Sequence, residues 1–379
     1  MTTKTKGMAE LFKEVINRGL CTLCGACIGD CPYTVFYRGK IRMIDFCNRE
    51  EGHCYEYCPR TPTVLDDISR MIFGIPYCDE ELGTVREIMM ARTTDKKIRS
   101  RGQYGGTVTT LLSLALSQGL IDKAVLSRNS SEKQPEGMVA GSVDQLMECA
   151  GSNYMAYPAL ETLNRIPSDS KDKLGIVVTP CQAIALAKMR TSPPSRRVEI
   201  SNVRIVLGLF CTWALDYCRF HGFLKERLDI PKIRKFDIPP PPANRFDVYI
   251  GKEVRSFSLD EVRKYRMPTC AYCLDMTAEF ADISVGAVEG VEGWNTVIVR
   301  TERGASLLEM AIQKRVLETD KLPDHILAHL KEASMIKKTR GLKEIIRQTG
   351  DENNLLYLVM RDELRDRFLA WNAPEGGTH

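Results

Sequence analysis

The sequence predicts an α/β protein. A mixed, partly parallel sheet with flanking helices follows a small, cysteine-rich α+β domain and precedes a charged helical segment. Three observations carry this. Between residues 96 and 303, short apolar runs alternate with amphipathic stretches, as strands and crossover helices do in a partly parallel layer. Half of the 14 cysteines fall before residue 60. From Gly304 onward the chain is charged, with helical patterning broken near Pro323. The expected divisions are 1–60, a linker over 61–95, a core domain over 96–303 and a helical segment over 304–379.

The first domain rests on "CTLCGACIGDCP". Cys21, Cys24, Cys27 and Cys31-Pro32 spell the C-x2-C-x2-C-x3-C-P run of bacterial ferredoxins, in which the fourth cysteine serves the other cluster of a pair. Structural zinc ordinarily uses two separated C-x2-C pairs instead. A second, imperfect run follows at Cys47, Cys54 and Cys58-Pro59. Crossed ligation assigns Cys21, Cys24, Cys27 and Cys58 to one 4Fe-4S cluster. Cys31, Cys47 and Cys54 remain for a second cluster, one thiolate short. Three outcomes fit: a three-iron cluster, a cubane completed by His53 or Glu51, or one completed by Cys78. One or two N-terminal clusters are therefore expected.

Pro59, Pro62, Gly74, Pro76 and Gly83 punctuate the expected linker. Thereafter "GGTVTTLLSLALSQGL" reads as a helix opened by Gly105-Gly106 and closed by Gly119. "IDKAVL", "KLGIVV" and "VRIVLGLF" read as strands, and "AIALAKM" and "DYCRFHGFLKERL" as helices. The Pro239 to Pro242 run reads as a stiff connector, leading into two short strands around Gly251-Lys252. "ADISVGAV" and "NTVIVRTERG" complete the strands.

Cys181 and Cys211 fall just past predicted strands, where open α/β sheets bind ligands. With the pair Cys270 and Cys273 they supply four thiolates for a further 4Fe-4S cluster. Cys149 and Cys218 show no such placement and are expected in the core, as free cysteines often are.

Net charge is +4, too mild to suggest nucleic acid, and no nucleic-acid-binding signature accompanies it. The longest apolar run, "VRIVLGLFCTWAL", is shorter than the roughly 20 residues of a membrane span. The first twenty residues lack a signal-peptide apolar region, so a cytoplasmic location is expected. There, thiols stay reduced and serve metals or redox chemistry rather than disulfides. The basic run Lys96-Lys97-Ile98-Arg99-Ser100-Arg101 reads as a solvated helix face.

"RGQYGGTVTTLLSLALSQGLIDKAV", "VVTPCQAIAL", "VLGLFC" and "CAYCLDMTAEFADISVGAVEGVEGWNTVIVRTERG" resemble, in that order, the beta-subunit family of coenzyme F420 hydrogenases and dehydrogenases. The resemblance runs from about Arg92 to Leu317. It implies an oxidoreductase with FAD and a 4Fe-4S cluster, often preceded by a two-cluster ferredoxin module. It gives Gly105 and Gly106 a task, since a helix N-terminus suits a pyrophosphate. Thr107 and Thr109 would add hydroxyls, and Asp282, Ser284, Gly286 and Trp294 would line the flavin from the other side. The missing cysteine of the second half-motif departs from the family pattern.

The implied activity is hydride transfer between coenzyme F420 and FAD, with single electrons relayed through the clusters to or from a partner oxidoreductase. The cofactors carry that chemistry; no catalytic nucleophile, triad or base motif is evident among the side chains. The same scaffold also admits NADH as hydride substrate, a ferredoxin-dependent tetrapyrrole reductase, or a non-catalytic electron-wiring adaptor. No G-x-G-x-x-G fingerprint supports the nicotinamide reading. Expected partners are catalytic or electron-accepting subunits of a larger redox complex, with a ferredoxin as one candidate.

Overall fold

The computed structural model describes residues 6–78, 80–128, 134–191, 200–239 and 243–372. At its centre is an eight-stranded sheet. In chain order the strands are β1 (Glu87–Thr93), β2 (Lys123–Arg128), β3 (Glu136–Ala140), β4 (Leu174–Val178), β5 (Val203–Leu209), β6 (Ile283–Ala287), β7 (Asn295–Val299) and β8 (Leu317–Asp320). They lie in the order β8-β1-β7-β6-β5-β4-β2-β3. β2, β4, β5 and β6 run parallel to their neighbours among themselves. The outer pairings are antiparallel. The sheet is therefore mixed, as the sequence predicts.

Both faces are covered, which is why the central strands read as unbroken apolar runs. Along β4, Leu174, Ile176 and Val178 join the core beneath the helices Leu65–Phe73, Pro180–Thr191 and Asp324–Thr349. Val177 points the other way, into the core formed with the helices Thr107–Ser117 and Glu302–Gln313. The helix Thr107–Ser117 follows Gly106, which holds a left-handed φ of 67° that favours glycine.

A separate three-stranded antiparallel sheet, Ile233–Asp237, Arg245–Ile250 and Glu253–Ser258, packs around Phe220, Phe236 and Phe246. Its last two strands form the expected hairpin. Pro240, Pro241 and Pro242 of the connector lie outside the described residues. The N-terminal region holds the hairpin Thr34–Tyr37/Lys40–Met43 and short helices at Met8–Leu11 and His53–Glu56. Lys96–Arg101 forms a largely solvated helix with Ile98 buried beneath it.

Four features differ from the sequence reading. The stretch 61–95 is not a plain linker, because it carries the helix Leu65–Phe73 and β1, deep in the main sheet. The last segment is not purely helical: β8 edges the main sheet, and Leu358–Val359 pairs with Thr63–Val64. The edge strand β3 also went unpredicted. Finally, Cys149 is buried against Met138, but Cys218 is exposed. Its helix, Tyr217–Lys225, turns Phe220, Phe223 and Leu224 inward instead. Among the described residues, no helix is long and apolar enough to cross a membrane.

Candidate functional site

Eleven cysteines gather into three sets. The first comprises Cys21, Cys24, Cys27 and Cys58, which together line one cavity of about 320 Å³ with Leu11, Val15, Ile16, Leu23 and Ile41. These are the four residues that crossed ligation selects. Their loop is anchored from the core domain. Leu160 donates its N–H to the Cys24 carbonyl at 3.0 Å, and buried Asn164 donates through Nδ2 to the carbonyls of Ala26 (3.1 Å) and Ile28 (2.7 Å). At Gly25 a Cβ would meet Glu161 N at 2.6 Å, so the close approach requires glycine. Asn164→Ala is expected to cost about 1–3 kcal/mol, the range for stranding buried acceptors. Chemical denaturation would read that loss, and iron analysis a lower occupancy of this set.

Burial pushes the Cys21 thiol up to about 12, with the neighbouring Cys58 adding to the effect. Cys24 and Cys27 are raised further for the same reason. Such thiols stay protonated until a metal displaces the proton, so loading here is coupled to proton release.

The second set is Cys31, Cys47 and Cys54. Burial, then the nearby Cys31, pushes Cys54 up to about 12. His53 Nδ1 lies 3.3 Å from Asp30 Oδ2, which places the ring between the residues next to Cys31 and Cys54. Glu51 is exposed. Cys78 is not part of this set. It lies 3.9 Å from Thr84 Oγ1, electrostatically coupled to Tyr77 and Arg300.

The third set forms at the carboxyl edge of the parallel strands. Cys181 follows β4 in the first turn of its helix, 3.5 Å from Thr179 Oγ1. Cys211 follows β5, its N–H bonded to the Met276 carbonyl at 2.8 Å. Cys270 and Cys273 come from the 3-10 turn at Pro268–Tyr272, and the Ala214 N–H points at Cys270 Sγ at 3.4 Å. Buried Lys337 donates to the Cys211 carbonyl and faces Cys273, Cys211 and Cys270 electrostatically. A cavity of about 410 Å³ reaches Cys181 and Cys273, lined also by Arg60, Asp275 and Tyr357.

The sets form a series. Cys181 of the third set acts electrostatically on Cys21 and Cys24 of the first. Cys58 of the first acts on Cys54 of the second. Among the described residues, no three His, Cys, Asp or Glu side chains surround a point as the ligands of one metal ion, which is what structural zinc requires. A cubane spreads its four corners more widely, and the cavity shared by four thiols in the first set suits it.

The predicted flavin residues divide. Gly105, Gly106 and Thr107 lie at the carboxyl edge of the sheet, where Asn295 opens β7 opposite Ala287. Gly105 sits so close that a Cβ would meet Ala91 O and Asn295 Oδ1, both at 2.6 Å. Thr107 is buried and already spent. Its N–H and hydroxyl both go to Asn295 Oδ1, at 3.3 and 3.0 Å. The N–H groups of Val108 and Thr109, in the opening turn, remain beyond the reach of intrahelical acceptors, and Thr109 is half-buried.

Trp294 is at the same edge, with the Arg92 guanidinium 4.4 Å from its ring centroid. Gly286 leaves room for the Phe210 ring, which a Cβ would meet at 2.0 Å.

Asp282 and Ser284 do not join this edge. Asp282 precedes β6, roughly 13 Å along the strand from Gly286 at about 3.3 Å per residue. It accepts from Val206 N (2.8 Å), Thr301 Oγ1 (2.7 Å) and Arg303. Ser284 bonds the Ala278 carbonyl and receives Arg300 Nε at 2.8 Å. Both hold the core together.

Asn295, Asn164, Arg60, Lys337 and Lys188 were missed by the sequence reading. Only Asn295 had a signal, inside the quoted "GWNT". The others act across distances in sequence that no spacing rule reports.

Two family profiles match in tandem: the N-terminal domain of the coenzyme F420 hydrogenase/dehydrogenase beta subunit over residues 88–164, and its C-terminal domain over residues 171–325. A coenzyme F420 hydrogenase beta subunit from Methanothermobacter thermautotrophicus is 34% identical over 70% of this chain and 95% of its own length. The chain belongs to this beta-subunit family. A coenzyme F420-dependent sulfite reductase from Methanocaldococcus jannaschii is 29% identical over 90% of this chain, which spans 52% of that relative.

Among solved structures, the F420-reducing [NiFe] hydrogenase complex from Methanosarcina barkeri contains a chain matching with a TM-score of 0.65 and 28% identity. The match covers 72% of this chain and 96% of that one. The beta-subunit relatives are hydrogenase and dehydrogenase components, and this chain is an oxidoreductase of the same kind. The first set of thiols and the Cys31, Cys47 and Cys54 set precede the matched family domains.

Proposed function

We propose that the chain couples hydride exchange with coenzyme F420, at a bound FAD, to one-electron traffic through three iron–sulfur sites toward a partner redox subunit. The observation that carries this reading is the series of three thiol sets. It begins at the sheet edge where the Gly106-capped helix opens, and it ends near the N-terminal surface.

FAD supplies the exchange between two-electron and one-electron chemistry when bound. The N–H groups of Val108 and Thr109, the Thr109 hydroxyl and the positive end of the helix would hold its pyrophosphate. Gly105, Gly106 and Asn295 fix that helix start against β1 and β7. Trp294 would flank the site. Cys181, Cys211, Cys270 and Cys273 would ligate the cluster nearest the flavin. Cys21, Cys24, Cys27 and Cys58 would hold the middle one, and Cys31, Cys47 and Cys54 the distal one. Both N-terminal sets then form a ferredoxin-like module.

The sulfite-reductase relative favours inward flow, from reduced F420 toward the N-terminal sites, because it matches 90% of this chain, including most of the N-terminal region.

Anaerobic purification followed by iron, sulfide and flavin analysis tests the loading. Iron with acid-labile sulfide and stoichiometric FAD supports the reading; zinc, or a protein without flavin, rejects it. Gly106→Trp is expected to abolish FAD retention while iron content and helical signal persist. Unchanged flavin content would displace the phosphate site from this helix.

A further inference from the structure

The first and third thiol sets share one buried cation. Arg60 follows Cys58 by two residues, and its own N–H points at Cys58 Sγ at 3.4 Å. Its side chain crosses to the turn that carries Cys270. Nε donates to Thr269 Oγ1 at 3.2 Å, Nη2 to the Thr269 carbonyl at 3.1 Å and Nη1 to the Tyr272 carbonyl at 3.3 Å. The guanidinium stacks on the Tyr357 ring, 4.2 Å from its centroid, and lines the cavity that reaches Cys181 and Cys273. Thr269 also donates to the Leu20 carbonyl, next to Cys21, at 2.6 Å.

The residue is only 5% exposed, yet the hydrogen-bond and stacking partners of its guanidinium are all neutral. A buried charge is costly unless opposite charge faces it. The groups that face Arg60 are the thiols of Cys21, Cys58 and Cys181. Lys188 faces Cys58 and Cys24, within the first set, and Lys337 faces the third; Arg60 faces both.

We propose that Arg60 is the shared counter-cation of two iron–sulfur sites, clamping the Cys270 turn against the first set and raising both cluster potentials together. A fixed positive charge favours the more negative, reduced state of each cluster, and low local polarity strengthens that effect. As a positioning residue, Arg60 touches no reacting atom. Its matched influence would keep neighbouring potentials level, so that neither site traps the electron.

The proposal rests on clusters occupying both sets, and its test separates the two claims. Anaerobic, iron-replete protein is titrated redox-potentiometrically with EPR detection, its signals assigned through Cys211→Ser and Cys54→Ser variants. In Arg60→Gln the first-set and third-set midpoints should both fall, while the distal Cys31/Cys47/Cys54 site stays unmoved. Arg60→Lys, which keeps the charge, should restore most of the shift. Iron lost in Arg60→Gln but kept in Arg60→Lys, at near wild-type potentials, would equally support the charge.

Unmoved midpoints in iron-replete Arg60→Gln would overturn the proposal. So would equal shifts, or equal iron loss, in both variants, since packing alone would then explain them. A wild-type protein without iron would instead defeat the functional reading beneath it.

Discussion

Cys211→Ser removes one cubane's complement of iron and sulfide while FAD and the N-terminal clusters stay bound. Reduced F420 still bleaches the flavin in this variant, but electron delivery to the N-terminal clusters falls to background. The cause is positional. Cys211 stands between the end of β5 and the flavin-facing edge, and its set is the one coupled through Cys181 to Cys21 and Cys24. The fold should survive, because the Cys211 backbone keeps its bond to Met276. Rapid mixing with reduced F420, followed at flavin and cluster wavelengths, reads the split. Undiminished N-terminal reduction would remove the third set from the route.

The largest stability effect is expected at Lys338. Its ammonium pairs with Glu279, and both side chains are essentially inaccessible, at 0% and 1% exposure. Glu279 also accepts from Tyr77 Oη at 2.6 Å, and Lys338 donates to the same Tyr77 Oη at 2.9 Å. Burial raises the Tyr77 hydroxyl well above its ordinary range, with the Glu279 charge reinforcing it, so Tyr77 serves as a neutral donor. Lys338→Met strands the carboxylate in this interior and should cost about 3–5 kcal/mol. The double variant Lys338→Met/Glu279→Leu should recover much of the loss, because a buried pair replaced by apolar groups is often near neutral. Denaturant unfolding of the two variants checks this. Equal destabilisation of both would place the loss in packing rather than in the stranded charge.

The strands and helices of the core were legible because two-sided burial writes long apolar runs, as in "KLGIVV". Short spacings were legible too, since "CTLCGACIGDCP" gathers most of a site in one loop. Elements that depend on distant partners were hidden. β8, "LETD", is a polar edge strand whose only reason to exist is β1. β1 itself sits just after a stretch punctuated by proline and glycine. The same limit explains the flavin residues. "ADISVGAV" gives Asp282 and Gly286 equal standing, yet the strand carries them to opposite edges. Arg300 then claims Ser284 for the interior, with further bonds to Leu82, Thr84 and Thr277. Arg60 spans 209 residues to reach Thr269, a separation at which no local pattern operates.

The central claim is that one chain converts hydride equivalents into single electrons along three thiol-held sites. The most direct measurement is freeze-quench EPR of the anaerobic, iron- and FAD-loaded protein mixed with reduced F420. The account predicts rapid flavin bleaching followed by reduced-cluster signals from both the third and the first set, with NADH producing neither. Flavin bleaching with every cluster still oxidised, in protein carrying its full iron, would contradict it.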